Sequence, residues 1–388
     1  MALNKFSCVL VLHTAICRLS YRIKMKLTEQ QLSELAAELD QVKANVMNQL
    51  GDKEARYIRR MLLTQRLSAI SGRILMVLGF VTPWLWVFGV ALLALAKILD
   101  NMEIGHNVLH GQYDWMNDPV LHSKRFEWDI ACDAASWQRT HNFEHHTYTN
   151  IIGKDRDFGY GLLRLSNDFR WRLRNLWQLV TYLLLSTLFQ WGVSYHELAG
   201  ERVFFGKKKA GRVNTVNHSE LKKAFFGKGA RQLFKDYVFF PLIAGPMWLW
   251  VLAGNLLANL IRNLWTSTVI FCGHFTADVH TFTQAQCEGE SRGHWYYRQI
   301  LGSSNFTGPR WFHILTGHLS CQIEHHLFPD MPALHYLTVA PQVQAIAKKY
   351  GIAYNCGSFL RQYATVVARI IRYSFPGGKA TTAYTLRT

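Results

Sequence analysis

Three long uncharged stretches stand out in the pattern of apolar and polar residues along this chain of 388 residues. They cover positions 74–96, 177–195 and 237–261, and polarity stays low after the third as far as Ala277. A helix of about 20 residues crosses the hydrocarbon core of a bilayer, which is about 30 Å thick. The pattern therefore predicts an all-α integral membrane protein.

The distribution of basic residues indicates the topology, because loops rich in Lys and Arg stay cytoplasmic. The segment 196–236 contains ten Lys or Arg against four acidic residues, and the segment 43–73 is also basic. With both segments inside, 74–96 forms a hairpin that turns at Pro83 rather than a single span. The stretch 177–195 then lies in the interface or makes a shallow re-entrant pass, and 237–273 forms two helices that cross and return. We expect about four transmembrane helices in two hairpins, both termini cytoplasmic and a cytosolic helical cap.

The first 24 residues differ in character from the rest of the chain. The apolar run within these residues resembles that of a signal peptide, but no cleavage site of small residues follows it. Met25 opens an amphipathic pattern in which Thr28 and Gln31 have the spacing of a capping box. We expect a doubtful extension over 1–24, with either Met1 or Met25 as the start. The chain then continues as a cytosolic helical region over 25–66, a membrane domain over 67–363 and a C-terminal tail over 364–388.

Composition narrows the classes of partner and compartment. The chain has 43 Lys and Arg against 26 Asp and Glu, a formal charge of +17. Such a chain can meet nucleic acid, an anionic membrane or an acidic protein. Aromatic residues do not alternate with the basic ones as in a nucleic-acid platform, so we expect membrane lipid and no nucleic acid. Seven scattered cysteines without a CxxC pattern argue against a disulfide framework.

Eight of the 17 histidines are concentrated in three groups, GHNVLHG, THNFEHHTYTN and GHLSCQIEHHLFP. Positions i and i+4 of a helix share a face, so His106 and His110 can point at one centre, as can His141 and His145. Adjacent buried imidazoles need a metal or an acidic partner, and imidazole suits Zn, Cu, Fe and Ni. Eight or more nitrogen ligands exceed the capacity of one ion. The groups therefore predict a site for two metal ions, and the absence of suitably spaced Cys disfavours structural zinc.

These groups match, in order and spacing, the boxes HxxxH, HxxxHH and QxxHH of the membrane fatty acid desaturases, a superfamily with a di-iron centre. The sequence resembles this family from about Leu27 to about Tyr363, with particular similarity to bacterial acyl-CoA desaturases. The resemblance is carried by AKILDNMEIGHNVLHGQYDWMNDP, HHTYTNIIGKDRDFGYGLLR and CQIEHHLFPDMPA.

The resemblance implies a set of metal ligands at matching positions: His106, His110, His141, His145, His146, His274, Gln322, His325 and His326. Gln322 stands where many relatives have a histidine and is a weaker, oxygen-donor ligand. His318, one helical turn earlier, departs from the family pattern and is a possible extra ligand. Outside the boxes, surface, cap or core positions are expected for His13, His122, His196, His218, His280, His294, His313 and His335. The acids close enough in sequence to orient the ligands are Asp129, Asp133, Glu144, Asp155 and Asp157.

The resemblance also implies an activity, a cofactor and partners. The expected enzyme is an acyl-CoA desaturase with two Fe ions, which uses O2, two electrons and two protons to place a cis double bond in a long-chain acyl-CoA and forms two waters. The position is Δ9 by analogy with relatives. Arg139 is a candidate for the substrate head group, and Trp115, Trp128 and Trp137 for the mouth of an acyl tunnel. The sequence lacks the haem motif HPGG, so a ferredoxin or flavoprotein reductase would supply electrons.

Three other functions remain open at this point. The first is a fatty acyl or alkane hydroxylase, or another monooxygenase, of the same superfamily. Two more come from other classes: a membrane haem protein and a metal transporter. Adjacent histidine pairs fit poorly to the two faces of a haem, and transport sites lie near the bilayer midplane, whereas these groups flank the apolar stretches. The expected location is a multi-pass membrane protein, of the bacterial inner membrane by resemblance, with the histidine boxes facing the cytoplasm.

Overall fold

The computed structural model describes residues 27–206 and 217–377. The expected extension over 1–24, with His13 and the alternative start at Met25, lies outside the described residues. The helices of four or more residues are α1 (Glu29–Met47), α2 (Asp52–Val77), α3 (Pro83–Leu99), α4 (Ala134–Trp137), α5 (Gln178–Thr187), α6 (Phe189–Glu197), α7 (Gly200–Phe205), α8 (His218–Phe234), α9 (Phe240–Ile243), α10 (Trp248–His274), α11 (Arg292–Leu301), α12 (Arg310–Leu315), α13 (Gln322–Leu327), α14 (Tyr336–Lys349) and α15 (Phe359–Ser374). Two short parallel strands, β1 (Asn305–Thr307) and β2 (Cys356–Ser358), pair with each other.

Helices α2 and α3 form the hairpin that the sequence predicts at Pro83. Thr82 is extended and Pro83 occupies the first helical position, where its missing N–H has no cost. A Cβ at Gly72 would lie 2.8 Å from the carbonyl oxygen of Gly89, so the two glycines let the helices approach closely. Among the described residues, two helical stretches are long and apolar enough to cross a membrane, Asp52–Phe80 and Pro83–Leu109. The predicted four spans are thus supported in part, for this hairpin.

A second hairpin comes later in the chain, with boundaries that differ from the prediction of two helices within 237–273. Its first limb already begins at α8, in the basic segment, and continues through a π-helix (Lys235–Phe239) into α9. The turn lies at Gly245–Met247, and α10 is the returning limb. The helix passes through charged positions because Asp236 is paired inside the protein, so a charge in the sequence does not end it.

Buried charges join the two hairpins. Lys97 of α3 places Nζ 2.7 Å from Asp236 Oδ2, and the two side chains are 2% and 0% exposed. Asn259 and Gln232 donate further hydrogen bonds to the same oxygen, at 3.0 and 3.2 Å. Arg73 lies 3.6 Å from Asp236 Oδ1 and stacks over an aromatic ring. We call Lys97, Asp236, Arg73, Asn259 and Gln232 the ion-pair network.

The stretch 177–195 is broken into two short helices, α5 and α6, which are consistent with an interfacial or re-entrant position. The outer face of this stretch is apolar and exposed, with Trp177 at 70% and Leu184 at 58%. Its inner face packs Tyr182 and Phe189 into the core around the histidine groups. One face of this stretch therefore packs against the protein core, and the other exposes apolar side chains that are unfavourable in water.

Helix α1 covers the opposite side of the molecule. Its predicted capping box is present: Thr28 Oγ1 accepts a hydrogen bond from the backbone N–H of Gln31, and Gln31 Oε1 accepts one from the backbone N–H of Thr28. Leu35 and Leu39 pack with residues of α11, α13 and α14 in a buried cluster. Helix α2 runs through position 66 and α15 through position 363, so these two predicted boundaries lie inside helices.

Candidate metal centre

Four segments bring the box residues to one place. The π-helix Asp100–His106 extends α3 and ends at the first histidine of the first box, and the π-helix Gln138–His145 extends α4 and carries His141 and His145 of the second. Short π-helical segments inside α-helices are frequent at functional sites. Helix α13 carries the third box and packs beside the end of α10, where a Cβ at Gly273 would lie 2.8 Å from the Gln322 side chain. That glycine therefore lets His274 approach the boxes.

Two groups of ligand nitrogens form from these segments. In the first group, one nitrogen from each histidine lies within 4.8 Å of the others. Its members are His106, His110, His141 and His325. The second group meets the same limit with His145, His274 and His326. No residue pattern within one helix could supply either group, because each combines three separate segments.

His146 lies between the two groups. Its ring centroid is 4.7 Å from that of His110 and 4.5 Å from that of His326. Both of its ring nitrogens are buried without a hydrogen-bond partner. The Nε2 atoms of His110, His141, His145, His325 and His326 are also buried without partners. Such a concentration of unpartnered acceptors is costly unless metal ions bind there, so these residues fit a site for two ions.

In His141, His145, His325 and His326 the opposite ring nitrogen, Nδ1, meets a protein group, which fixes the orientation of these imidazoles. Asp157 Oδ2 lies 3.1 Å from His141 Nδ1, and Asp155 lies 3.1 Å from His145 Nδ1. Of the acids considered from the sequence, these two therefore contact the ligands. Asp133 instead caps α4, Asp129 pairs with Lys97 and Lys235, and Glu144 lies beside Arg156.

The partners of the third box are distant in sequence and were not predicted. His326 Nδ1 lies 3.2 Å from Thr149 Oγ1 and 3.1 Å from Gln299 Oε1. Tyr336 places its hydroxyl 3.4 Å from His325 Nδ1. These partners carry no signal in the sequence, because polar residues outside the boxes resemble any other surface or cap residue.

Burial keeps most of the imidazoles neutral, which is the form that binds metal. Desolvation, and then repulsion from neighbouring imidazoles, holds the pKa of His146, His325 and His326 well below the ordinary value. For His145, desolvation opposes the charged form, but Asp155 outweighs it, and the pKa is raised. The carboxylates that contact the histidines, Asp155 and Asp157, thus lie beside the second box.

Gln322 reaches the site through His274. Its Nε2 lies 3.0 Å from His274 Nε2, and its Oε1 is buried without a partner. The unpartnered nitrogen of His274 is consequently Nδ1. The structure places His318 in neither group: its Nδ1 lies 2.9 Å from Glu103 Oε2, which keeps that ring beside Tyr57.

The other histidines within the described residues join neither group, but His196 lies closer than the sequence suggested. Its Nε2 is 3.0 Å from Asp157 Oδ1, so Asp157 bridges His196 and the ligand His141. Glu54 pairs with His335, and Ser320 with His313. The remainder hold other surface and cap positions away from the groups: His122, His218, His280 and His294.

A cavity adjoins the histidines and is lined largely by apolar and aromatic side chains. Trp128 and Trp137 line it, as proposed from the sequence, whereas Trp115 is 42% exposed and lies elsewhere. The other apolar lining residues are Met102, Ile130, Tyr160, Phe189, Val193, Ile270, Phe275 and Leu319. Arg139 is half-buried, donates from Nη2 to Ser136 Oγ at 3.1 Å and leaves Nε without a partner.

Comparison with known proteins gives a consistent result. A family model described as fatty acid desaturase matches residues 81–358. The NADPH-dependent stearoyl-CoA 9-desaturase of Mycobacterium tuberculosis is 42% identical over 354 residues, which are 90% of this chain and 82% of that protein. The sn-1 linoleoyl-lipid 6-desaturase of Synechocystis is 26% identical over 279 residues, 69% of this chain and 75% of that protein.

The chain therefore belongs to the fatty acid desaturase family. It is an oxidoreductase, and the histidine boxes on which the resemblance rests lie within the matched residues. The sequence-based assignment to this family is confirmed.

Proposed function

We propose that the protein is a Δ9 acyl-CoA desaturase that acts on long-chain substrates such as stearoyl- or palmitoyl-CoA. The observation that carries the proposal is the pair of histidine groups, with their unpartnered nitrogens facing inward beside an apolar cavity. Similarity to a stearoyl-CoA 9-desaturase over most of both chains supports the substrate and the position of the double bond.

In this proposal the histidine groups hold two iron ions, with His146 and Gln322 as further ligands. When bound, iron would supply together with O2 the oxidising chemistry that unactivated methylenes require, which side-chain acids and bases cannot supply. Asp155 and Asp157 keep Nε2 of His145 and His141 directed inward. His318, which pairs with Glu103, is not among the ligands in this proposal.

The remaining residues bind and orient the substrate. The aromatic walls of the cavity exclude water and hold the acyl chain beside the histidines. Arg139, whose Nε has no partner, is placed to meet a phosphate of the CoA head group. The reaction converts acyl chain, O2, two electrons and two protons into a cis alkene and two waters.

Electrons come from a separate protein in this proposal. The Mycobacterium relative is named as NADPH-dependent, and a ferredoxin or flavoprotein reductase is the class of donor that joins NADPH to a metal centre. The net charge of +17 favours an acidic donor. We place α2–α3 and α8–α10 as two transmembrane hairpins in a bacterial inner membrane, with the boxes on the cytoplasmic side.

The test is fatty-acid profiling by gas chromatography and mass spectrometry. A host without its own desaturases, supplied with stearate and a donor system, expresses the intact protein or its His326→Ala variant. We expect a monounsaturated product from the intact protein alone. An oxygenated fatty acid would show that the enzyme is a hydroxylase and not a desaturase. If the iron-loaded protein with a working electron donor forms no product, an acyl-CoA substrate is refuted.

A further inference from the structure

One wall of the cavity is a single face of helix α6. Phe189, Val193 and Glu197 recur at intervals of four residues, and Gln190 lies beside them. Phe189 and Val193 suit an acyl chain, but Glu197 and Gln190 are polar. A purely apolar substrate would not require the polar side chains of Glu197 and Gln190 at the cavity wall.

Glu197 is the more unusual of the two polar residues. Its side chain is 2% exposed, and Oε2 is buried without a hydrogen-bond partner. Desolvation, and then the neighbouring Asp157 carboxylate, raise the pKa of Glu197 well above the ordinary value. Burial thus favours the protonated carboxyl group, which can donate a hydrogen bond, as buried carboxylic acids do in some enzyme sites.

We propose that Glu197 binds the carbonyl oxygen of the acyl substrate and thereby sets which carbons lie at the metal centre. This inference rests on the proposed function. An acyl chain has a single polar group that can enter an apolar cavity, its carbonyl, and an unpartnered carboxyl group is the complementary donor. Arg156 and Arg139 are among the charges nearest to Glu197, as suits the anionic head group beyond the carbonyl.

The distance along this wall agrees with that assignment. Carboxyl oxygens of Glu197 and Asp157 lie within 4.8 Å, and Asp157 Oδ2 is 3.1 Å from His141 Nδ1. With roughly 2 Å across the carboxylate and across the ring, Glu197 is at most about 12 Å from His141 Nε2. An extended chain covers about 10 Å from its carbonyl carbon to C9, given carbon–carbon bonds of about 1.5 Å. This upper limit is compatible with a carbonyl at Glu197 and C9 beside the histidines, and it is also compatible with carbons nearer the carbonyl.

Gln190 provides the matched control. It is also buried, and its Oε1 lacks a partner, but it lies seven residues earlier, about 10 Å along α6. The same carbonyl cannot contact both side chains. Gln190 bonds through its backbone N–H to Asn263 and stands deeper along the helix, so we assign its amide to a bound water.

The experiment compares Glu197→Leu, Glu197→Gln and Gln190→Leu with the intact protein, in membranes supplied with stearoyl-CoA, NADPH and the donor. Double-bond positions are read by mass spectrometry of dimethyl disulfide adducts, and iron per chain is measured alongside. We expect Glu197→Leu to lose at least tenfold in kcat/KM and to give positional isomers on either side of the main product. Glu197→Gln, which still donates a hydrogen bond, and Gln190→Leu are expected to keep one isomer.

A single isomer at the intact rate from Glu197→Leu would overturn the proposal. If Glu197→Leu loses its iron, Glu197→Met is tested in its place, because it also lacks a hydrogen-bond donor but keeps a side chain of similar length. A single isomer at the intact rate from iron-loaded Glu197→Met would overturn the proposal. Failure of the proposed function is distinct, because the intact protein would then form no alkene.

Discussion

The protein contains two buried polar regions of opposite character. In the ion-pair network, side chains of α2, α3, α8 and α10 bond to one another, and Asp236 alone meets Lys97, Asn259 and Gln232. In the histidine groups, the Nε2 atoms of His141, His145, His325 and His326 meet no protein partner, although their Nδ1 atoms do.

The ion-pair network is thus satisfied by the protein alone, whereas the histidine groups need a bound metal or another ligand to be satisfied. In a buried ion pair each charge is compensated by its partner, so removing one partner leaves the other charge uncompensated. A buried imidazole with one free nitrogen is satisfied only when a metal or another group binds it. Removal of a bound metal should therefore affect the histidine groups, whereas disruption of the ion-pair network should affect the packing of the hairpins.

The largest effect is expected from removing one ligand of each group. His110→Ala and His274→Ala should each lower the iron content below two per chain and reduce activity by more than the roughly 10–100-fold that loss of an outer partner causes. Iron analysis and product formation measure both. His218→Ala, at the exposed start of α8, is the control and should change neither. A variant with both irons and full activity would remove that residue from the site.

The next effect tests the other region. Asp236→Ala leaves the buried Lys97 with only its longer contact to Asp129, at 3.5 Å, and should destabilise the protein by about 3–5 kcal/mol. Thermal unfolding in detergent measures the shift in midpoint. The double variant Lys97→Met with Asp236→Leu replaces the pair by apolar side chains and should recover most of that loss. A stable Asp236→Ala protein would show that the network contributes little to the association of the hairpins.

A smaller effect is expected at the acids that orient the ligands. Asp155→Asn keeps the shape of the side chain but removes the charge beside His145, so metal affinity should fall about 10–100-fold. Iron retention during dialysis against a chelator measures it. Asp133→Asn is the matched control, because asparagine caps a helix as well as aspartate does. Equal retention in the two variants would contradict the role of Asp155.

The smallest effect lies far from both regions. Thr28→Ala removes the cap of α1 and should cost about 1 kcal/mol of stability, with activity unchanged. The thermal midpoint should fall slightly. Ser33→Ala, on the exposed face of the same helix, should not lower it, since alanine favours helix. A drop in activity with Thr28→Ala would instead tie α1 to the site.

Much of the site could be predicted because its residues repeat at helical spacing. His106 and His110, or His325 and His326, occupy positions whose faces are set by the period of a helix. The turn at Pro83 and the capping box at Thr28 could be predicted for the same reason, since both depend on residues within one turn. The family was also evident from the boxes.

The sequence could not reveal contacts that depend on packing between distant segments. Thr149 meets His326 across 177 positions, and Lys97 meets Asp236 across 139. The predicted start of the second hairpin was wrong for this reason, because a charge is taken as an end of an apolar helix until its buried partner is known. No pattern in the sequence indicated that Asp157 connects His196 to His141.

By itself, the sequence determined the histidine boxes, the first hairpin, the family and thereby the class of reaction. Only the tertiary structure decided which imidazoles form each group, that Asp155 and Asp157 orient them, and that His318 stays outside. The physical reason is one of range. Spacing within a helix fixes which side chains share a face, whereas the meeting of faces depends on how whole helices pack.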